Sequence, residues 1–132
     1  SREINSGTHV YFKEHIVRKG NEKGPEEFAP GALLMPSSQA IADEVSQNQS
    51  AIGYYGLGYV STKQKALAVS QKDGHYVKPS LKTVKNKSYP ISRPLFMYTV
   101  GEPQGLVKTF MDFVLSSEGQ EIVKKLDFVP VR

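Results

Sequence analysis

The sequence predicts an α/β fold, and two kinds of hydrophobic pattern predict it. Apolar residues recur four apart at Phe12 and Ile16 and again at Ile41 and Val45, and they form a broad stripe through Leu106, Val107, Phe110, Met111, Phe113 and Val114. That is the period of a helix with one buried face. Between these segments lie shorter runs rich in strand-forming residues, at 51–60, 65–70 and 95–100. At 132 residues, with no internal repeat or low-complexity stretch, the chain is long enough to enclose a core and reads as one domain.

Taken in order, the chain opens on a polar turn, Ser1-Arg2-Glu3-Ile4-Asn5-Ser6-Gly7-Thr8. This turn delivers Ser6, Gly7 and Thr8 to the first turn of a helix over 9–18, which ends near Lys19-Gly20-Asn21. Gly24-Pro25 punctuates the following loop, and 26–35 fits no regular element. Pro36-Ser37-Ser38 starts a second helix, with Ile41 and Val45 as its buried stripe. Residues 51–60 read as a strand that bends or packs closely at Gly53, Gly56 and Gly58. Leu67 and Val69 alternate in a short strand, and Asp73-Gly74 marks a turn. Residues 95–100 read as a buried strand, and Pro103 is placed in the first turn of a core helix over 106–114. Ser116 or Ser117 caps the last helix, with Gln120 positioned to close a capping box on Ser117. Phe128-Val129-Pro130-Val131 ends the chain extended.

Composition removes several classes of function. Cysteine is absent, which excludes disulfides, thiolate metal sites and thiol nucleophiles. No apolar run approaches the roughly 20 residues of a membrane span. The net charge of +4 is modest and suits an anionic ligand. The chain opens directly on Ser1-Arg2, so an export signal or lipid anchor is expected upstream of it.

The opening stretch carries the chemistry. The first backbone N–H groups of a helix lack intrahelical acceptors and sit at the positive end of the helix dipole, which favours an anion there. Gly7 lets a ligand approach the backbone, the Ser6 and Thr8 hydroxyls can donate to anion oxygens, and Arg2 adds a fork able to bind two oxygens at once. The same residues also fit a plainer reading, with Ser6 or Thr8 as an ordinary N-cap and Arg2 as a solvated or ion-paired side chain.

Other chemistries fit less well. His9 follows Thr8 on a helix and points about 100° away from it, a poor geometry for activating that hydroxyl. His9 and His15 are six apart, on different helix faces, and do not form a metal pair. No carboxylate pair is placed for acid and base work, so we expect no enzyme, no metal and no cofactor. The glycines of 51–60 lack the spacing of a nucleotide loop. The basic run of Lys72, Lys78, Lys82, Lys85, Lys87 and Arg93, with Tyr76 and Tyr89 interleaved, has no nucleic-acid module around it and reads as a solvated surface.

Four stretches carry a family resemblance. Arg2-x-x-x-Ser6-Gly7-Thr8 with the helix after it resembles the phosphate-contacting segment of the phosphate-specific solute-binding proteins of ABC transporters. Ala51-Ile52-Gly53-Tyr54-Tyr55-Gly56-Leu57-Gly58-Tyr59-Val60 resembles their Ile-Gly-Tyr strand. Tyr89-Pro90-Ile91-Ser92-Arg93-Pro94-Leu95 resembles the segment returning to the first lobe. Residues 106–131, with Ser117-Glu118-Gly119-Gln120 and Phe128-Val129-Pro130-Val131, resemble the C-terminal helices and closing segment. They occur in the family's order over nearly the whole chain.

The resemblance implies a periplasmic-binding-protein-like fold of two lobes joined by a hinge, present here only in part. Residues 1–92 would belong to the second lobe and 93–132 to the first, and an N-terminal portion would accompany the chain as a second polypeptide or fragment. It implies Arg2, Ser6, Gly7 and Thr8 as phosphate ligands: Arg2 through its guanidinium, Gly7 and Thr8 through backbone N–H, and Ser6 and Thr8 through hydroxyls. Some members place an acid at the position of Ile4 to orient the arginine, so Glu3 or a residue outside the chain would serve here. The implied function is an extracytoplasmic receptor, periplasmic or a cell-surface lipoprotein, that captures inorganic phosphate and passes it to an ABC transporter permease. The alternatives are a receptor for another oxyanion, sulfate or molybdate, or a non-transport anion-sensing or adhesion protein on the same fold.

Overall fold

The computed structural model describes residues 1–71, 74–126 and 128–131. The chain divides into two compact units, Ser1–Gln64 and Lys65–Arg132, where length alone suggested one domain. The lobe assignment 1–92 and 93–132 refers to a whole two-lobed protein and is a separate matter, taken up as a proposal below.

In the first unit, helix α1 spans Gly7–Phe12 and runs on through a π turn, Lys13–Val17. Ser6 is the N-cap, with its hydroxyl accepting from the Thr8 N–H. The π turn closes with Arg18 N–H donating to the Lys13 carbonyl at 2.8 Å. This wider turn takes Ile16 off the face of Phe12: Phe12 stacks inward while Ile16 is exposed, against the single-face expectation. The run ends at Lys19 and Gly20, both at positive φ, with the Gly20 N–H returning to the Glu14 carbonyl.

Helix α2, Ser38–Gln47, starts where the sequence places it, with Ser37 Oγ accepting from the Ala40 N–H at 3.0 Å. Its Ile41 and Ala42 are the buried apolar core of this unit. Gly53 passes so close to α2 that a Cβ there would lie 2.5 Å from Ile41 Cγ2, which explains one of the glycines in the 51–60 run. That run forms no ladder among the described residues and contains instead a single 3-10 turn, Leu57–Tyr59. The segment 26–35, unassigned from sequence, supplies the one parallel bridge described, Arg2 to Met35.

An ion-pair cluster fastens the loop after α1. Glu27 meets Lys13 Nζ at 2.5 Å and Arg18 Nη2 at 2.6 Å, and Arg18 also donates to the Glu22 and Glu26 carbonyls. The bond from Lys13 and that from Arg18 hold the Glu27 carboxyl below its ordinary value of 4.5. A carboxyl lowered in the folded state contributes stability above its unfolded pKa, and that stability is lost as pH falls through the folded value. We therefore expect the Gly24 amide, bonded to the Asn21 carbonyl, to lose hydrogen-exchange protection as pH falls below the ordinary glutamate range. Glu27→Gln should remove this acid dependence.

In the second unit, Val69 and Val77 exchange two hydrogen bonds of 2.9 Å in an isolated antiparallel bridge, which is all that forms of the strand expected over 65–70. Asp73 of the expected turn and Lys72 of the basic run lie outside the described residues, and Gly74 has φ 86°. Helix α3, Leu81–Lys85, is started by a reciprocal box between Ser80 and Thr83 that sequence reading passed over.

Helix α4, Gly105–Val114, begins one residue after its N-cap Gln104, so Pro103 lies outside the helix and not in its first turn. Helix α5, Ser117–Lys125, is capped by Ser116, whose Oγ accepts from the Gly119 N–H. Gln120 closes no box on Ser117. Its amide instead donates to the Val114 carbonyl and accepts from the Val131 N–H, both at 2.8 Å, tying the tail to the α4–α5 corner.

Two expectations of burial fail here. Leu106, Val107, Phe110 and Phe113 of α4 are exposed, and so are Leu95, Phe96, Tyr98 and Val100 in a segment without a ladder. A strand forms only against a neighbouring strand, and an apolar face is buried only against another element. Neither partner is present among the described residues.

Candidate anion site

The site is assembled around the backbone of Arg2. The Met35 N–H donates to the Ser1 carbonyl at 2.8 Å and the Glu3 N–H donates to the Met35 carbonyl at 3.1 Å, which fixes the strand-like entry of the chain. The Ser6 N–H then bonds back to the Glu3 carbonyl, turning the chain into α1. Arg2, Ser6, Gly7 and Thr8 thus lie on one short turn anchored at both ends.

His9 anchors that turn from inside. It is 4 % exposed, and its Nδ1 lies 3.0 Å from the Arg2 carbonyl and 2.9 Å from Ser1 Oγ. The carbonyl can only accept, so Nδ1 carries the proton and donates to it. The ring packs on Phe28, and Phe28, Phe12 and Tyr54 form a stacked cluster, with Phe12 and Tyr54 3.8 Å apart. Tyr54 Oη completes the set with a short hydrogen bond to Ser1 Oγ. Burial pushes the Tyr54 phenol up, and the bond to Ser1 opposes that in part.

The residue weighed as a catalytic base is therefore a buried support for the loop. The pairing of 1–3 with 33–35 was the other contribution missed, because Leu33-Leu34-Met35 shows no alternation that would mark a strand. We expect His9→Phe, which keeps a ring against Phe28 but removes the donor to the Arg2 carbonyl, to cost about 1–2 kcal/mol in urea unfolding.

The side chains give the turn its chemistry. One Arg2 Nη donates to Glu3 Oε1 at 3.1 Å, so Arg2 is ion-paired to the neighbouring carboxylate. Arg2 Nε is buried with no acceptor among the described residues. The Gly7 N–H also has no acceptor among them, and Gly7 is exposed. The Thr8 N–H is held by Ser6 Oγ at 3.3 Å, a long bond, so an arriving anion would compete for that donor. The turn thus carries a cationic fork at Arg2 and one helix-start donor, the Gly7 N–H, without an acceptor among the described residues. No cluster of potential metal ligands occurs among the described residues.

Comparison with known proteins places the chain in a family. A model described as a PBP superfamily domain matches residues 1–118. A phosphate-binding protein PstS of Pseudomonas aeruginosa is 34% identical over 131 residues, covering 96% of this chain and 39% of the relative. A phosphate-binding protein PstS 2 of Streptococcus agalactiae is 33% identical over 135 residues, covering 99% of this chain and 44% of the relative. The crystal structure of a phosphate-binding protein of a phosphate ABC transporter from Streptococcus pneumoniae matches all of this chain and 50% of that one, with a TM-score of 0.83 and 33% identity. The chain spans about two-fifths of the length of these curated relatives and half of the solved structure, so it carries part of a periplasmic-binding-protein-like α/β fold. The chain belongs to the PBP superfamily domain family.

Proposed function

We propose that this chain forms part of an extracytoplasmic receptor that captures inorganic phosphate and delivers it to an ABC transporter permease. The observation that carries the reading is the Arg2 guanidinium, with a buried Nε lacking an acceptor among the described residues, held on the same turn as the exposed helix start of Gly7. A buried cationic donor without an acceptor is costly unless a ligand supplies one. Arg2, Ser6, Gly7 and Thr8 are the ligands in this reading, and no reaction is catalysed. The phosphate-binding names of the relatives support phosphate as the anion.

The proposal extends to the rest of the protein. Residues 1–92 belong to the second lobe and 93–132 to the first, and an N-terminal portion in another polypeptide or fragment covers the exposed faces of α4 and 95–100. A compact, monodisperse monomer of this chain alone, with no other polypeptide, would sink that part.

Selectivity separates phosphate from its nearest competitor. Phosphate keeps a proton near neutral pH while sulfate has none, so a phosphate site needs an acceptor that a sulfate site avoids. The test is calorimetric titration of phosphate and then sulfate into the protein as isolated, after endogenous anion is removed and the chains present are identified by mass spectrometry. Binding of phosphate with sulfate ignored supports the reading. Sulfate binding equally well, or no anion binding with both halves present, overturns it.

A further inference from the structure

The basic run that the sequence leaves as solvated surface acquires a shape in the second unit. Lys82 and Lys85 of α3 meet Glu121 and Lys124 of α5 around an open cavity of about 270 Å³, floored by Leu81, Val129 and Pro130. Residues far apart in sequence thus bring three lysines to the lining of one cavity. None of the three lysines forms an ion pair among the described residues, although Glu121 lines the same cavity, whereas Lys13, Arg18 and Lys108 are all neutralised by acids.

We propose that this cavity is a docking site for an acidic segment of a partner protein, one carrying spaced carboxylates and an apolar side chain. The charge balance at the rim, three lysines against one glutamate, calls for a negative partner. The chemistry disfavours a compact, highly charged ligand. Lys85 and Lys124 lie in the last turns of their helices, where the dipole is negative and a small anion gains nothing from backbone N–H groups. Flexible lysine stems offer separate point charges rather than a bidentate fork, which matches carboxylates spread along a peptide. Leu81, Val129 and Pro130 provide the apolar floor that such a segment needs and that inorganic phosphate cannot use.

The test is fluorescence anisotropy of the protein as isolated with a short fluorescein-labelled peptide of alternating Glu and Leu. The peptide is expected to bind at low salt and weaken as salt rises, and the same peptide with Gln in place of Glu to bind poorly. The triple variant Lys82→Gln, Lys85→Gln, Lys124→Gln should lose about tenfold or more in peptide affinity, while Lys63→Gln, outside the cavity, should change nothing. Phosphate titration of the triple variant should match the parent, which keeps this proposal separate from the anion site. Equal binding of the Gln peptide, or full affinity in the triple variant, would overturn the proposal. So would displacement of the peptide by inorganic phosphate in an Arg2→Ala background, or binding to phosphatidylserine vesicles, but not to peptide, that the triple substitution abolishes.

Discussion

Arg2→Ala is expected to weaken phosphate binding by about a hundredfold or more, read by calorimetry at fixed ionic strength. The substitution deletes two charge-assisted donors, each contributing about 1.5–3 kcal/mol, and each 1.4 kcal/mol is a tenfold change in affinity. Stability should move the other way or not at all. Arg2 Nε is buried without an acceptor among the described residues, so its removal relieves an unsatisfied donor, and the lost contact to Glu3 is half-exposed. Binding lost with an unchanged urea midpoint therefore distinguishes a ligand from a structural arginine. Arg2→Lys keeps the charge but not the fork and should recover only part of the affinity. Retained phosphate affinity in Arg2→Ala would place the anion elsewhere.

Gly119→Ala should be among the most destabilising single changes in the second unit, at about 2–4 kcal/mol. A Cβ at this position would lie 2.2 Å from the Phe113 carbonyl oxygen and 2.6 Å from that of Val114. These are backbone atoms in the last turn of α4 with no rotamer to change, so relief requires α5 to move off the corner. That motion would also pull Gln120 away from the Val114 carbonyl and release the tail at Val131. Higher helix propensity returns only about 1 kcal/mol. Gly31→Ala, where an added Cβ meets nothing within 4 Å, is the control and should be close to neutral. Thermal or urea unfolding of the two variants side by side checks the difference.

What could be read from the sequence follows from how local each signal is. Helix α2 was legible because Ser37, Ile41 and Val45 specify its start and its buried face within ten residues. The stop at Lys19 and Gly20 was legible for the same reason, and the cap of α5 was legible to within one residue, Ser116 or Ser117. The exposure of 95–100 and of α4 was not, since an apolar run signals burial whether or not a partner element lies against it, and none does so among the described residues. At the candidate anion site, Ser6, Gly7, Thr8 and Arg2 stand out in the sequence as a motif. The parts that hold them in place, Met35 and the buried His9, are joined to Arg2 only through its backbone carbonyl and flanking amides, and backbone partnership leaves no trace in residue type.

The contact between Tyr54 Oη and Ser1 Oγ places a tyrosine hydroxyl one residue from the proposed anion ligand Arg2. The chain has no tryptophan, so no indole masks emission from its 7 tyrosines. Tyr54 is stacked on Phe12, and its hydroxyl ends on the residue adjoining Arg2. An oxyanion settling on Arg2 and drawing the Ser1–Arg2 backbone with it would alter the Tyr54 hydrogen bond, and with it the quenching of that ring. Loading of the site could then be followed in unlabelled protein by tyrosine emission, with Tyr54→Phe silencing the component that responds.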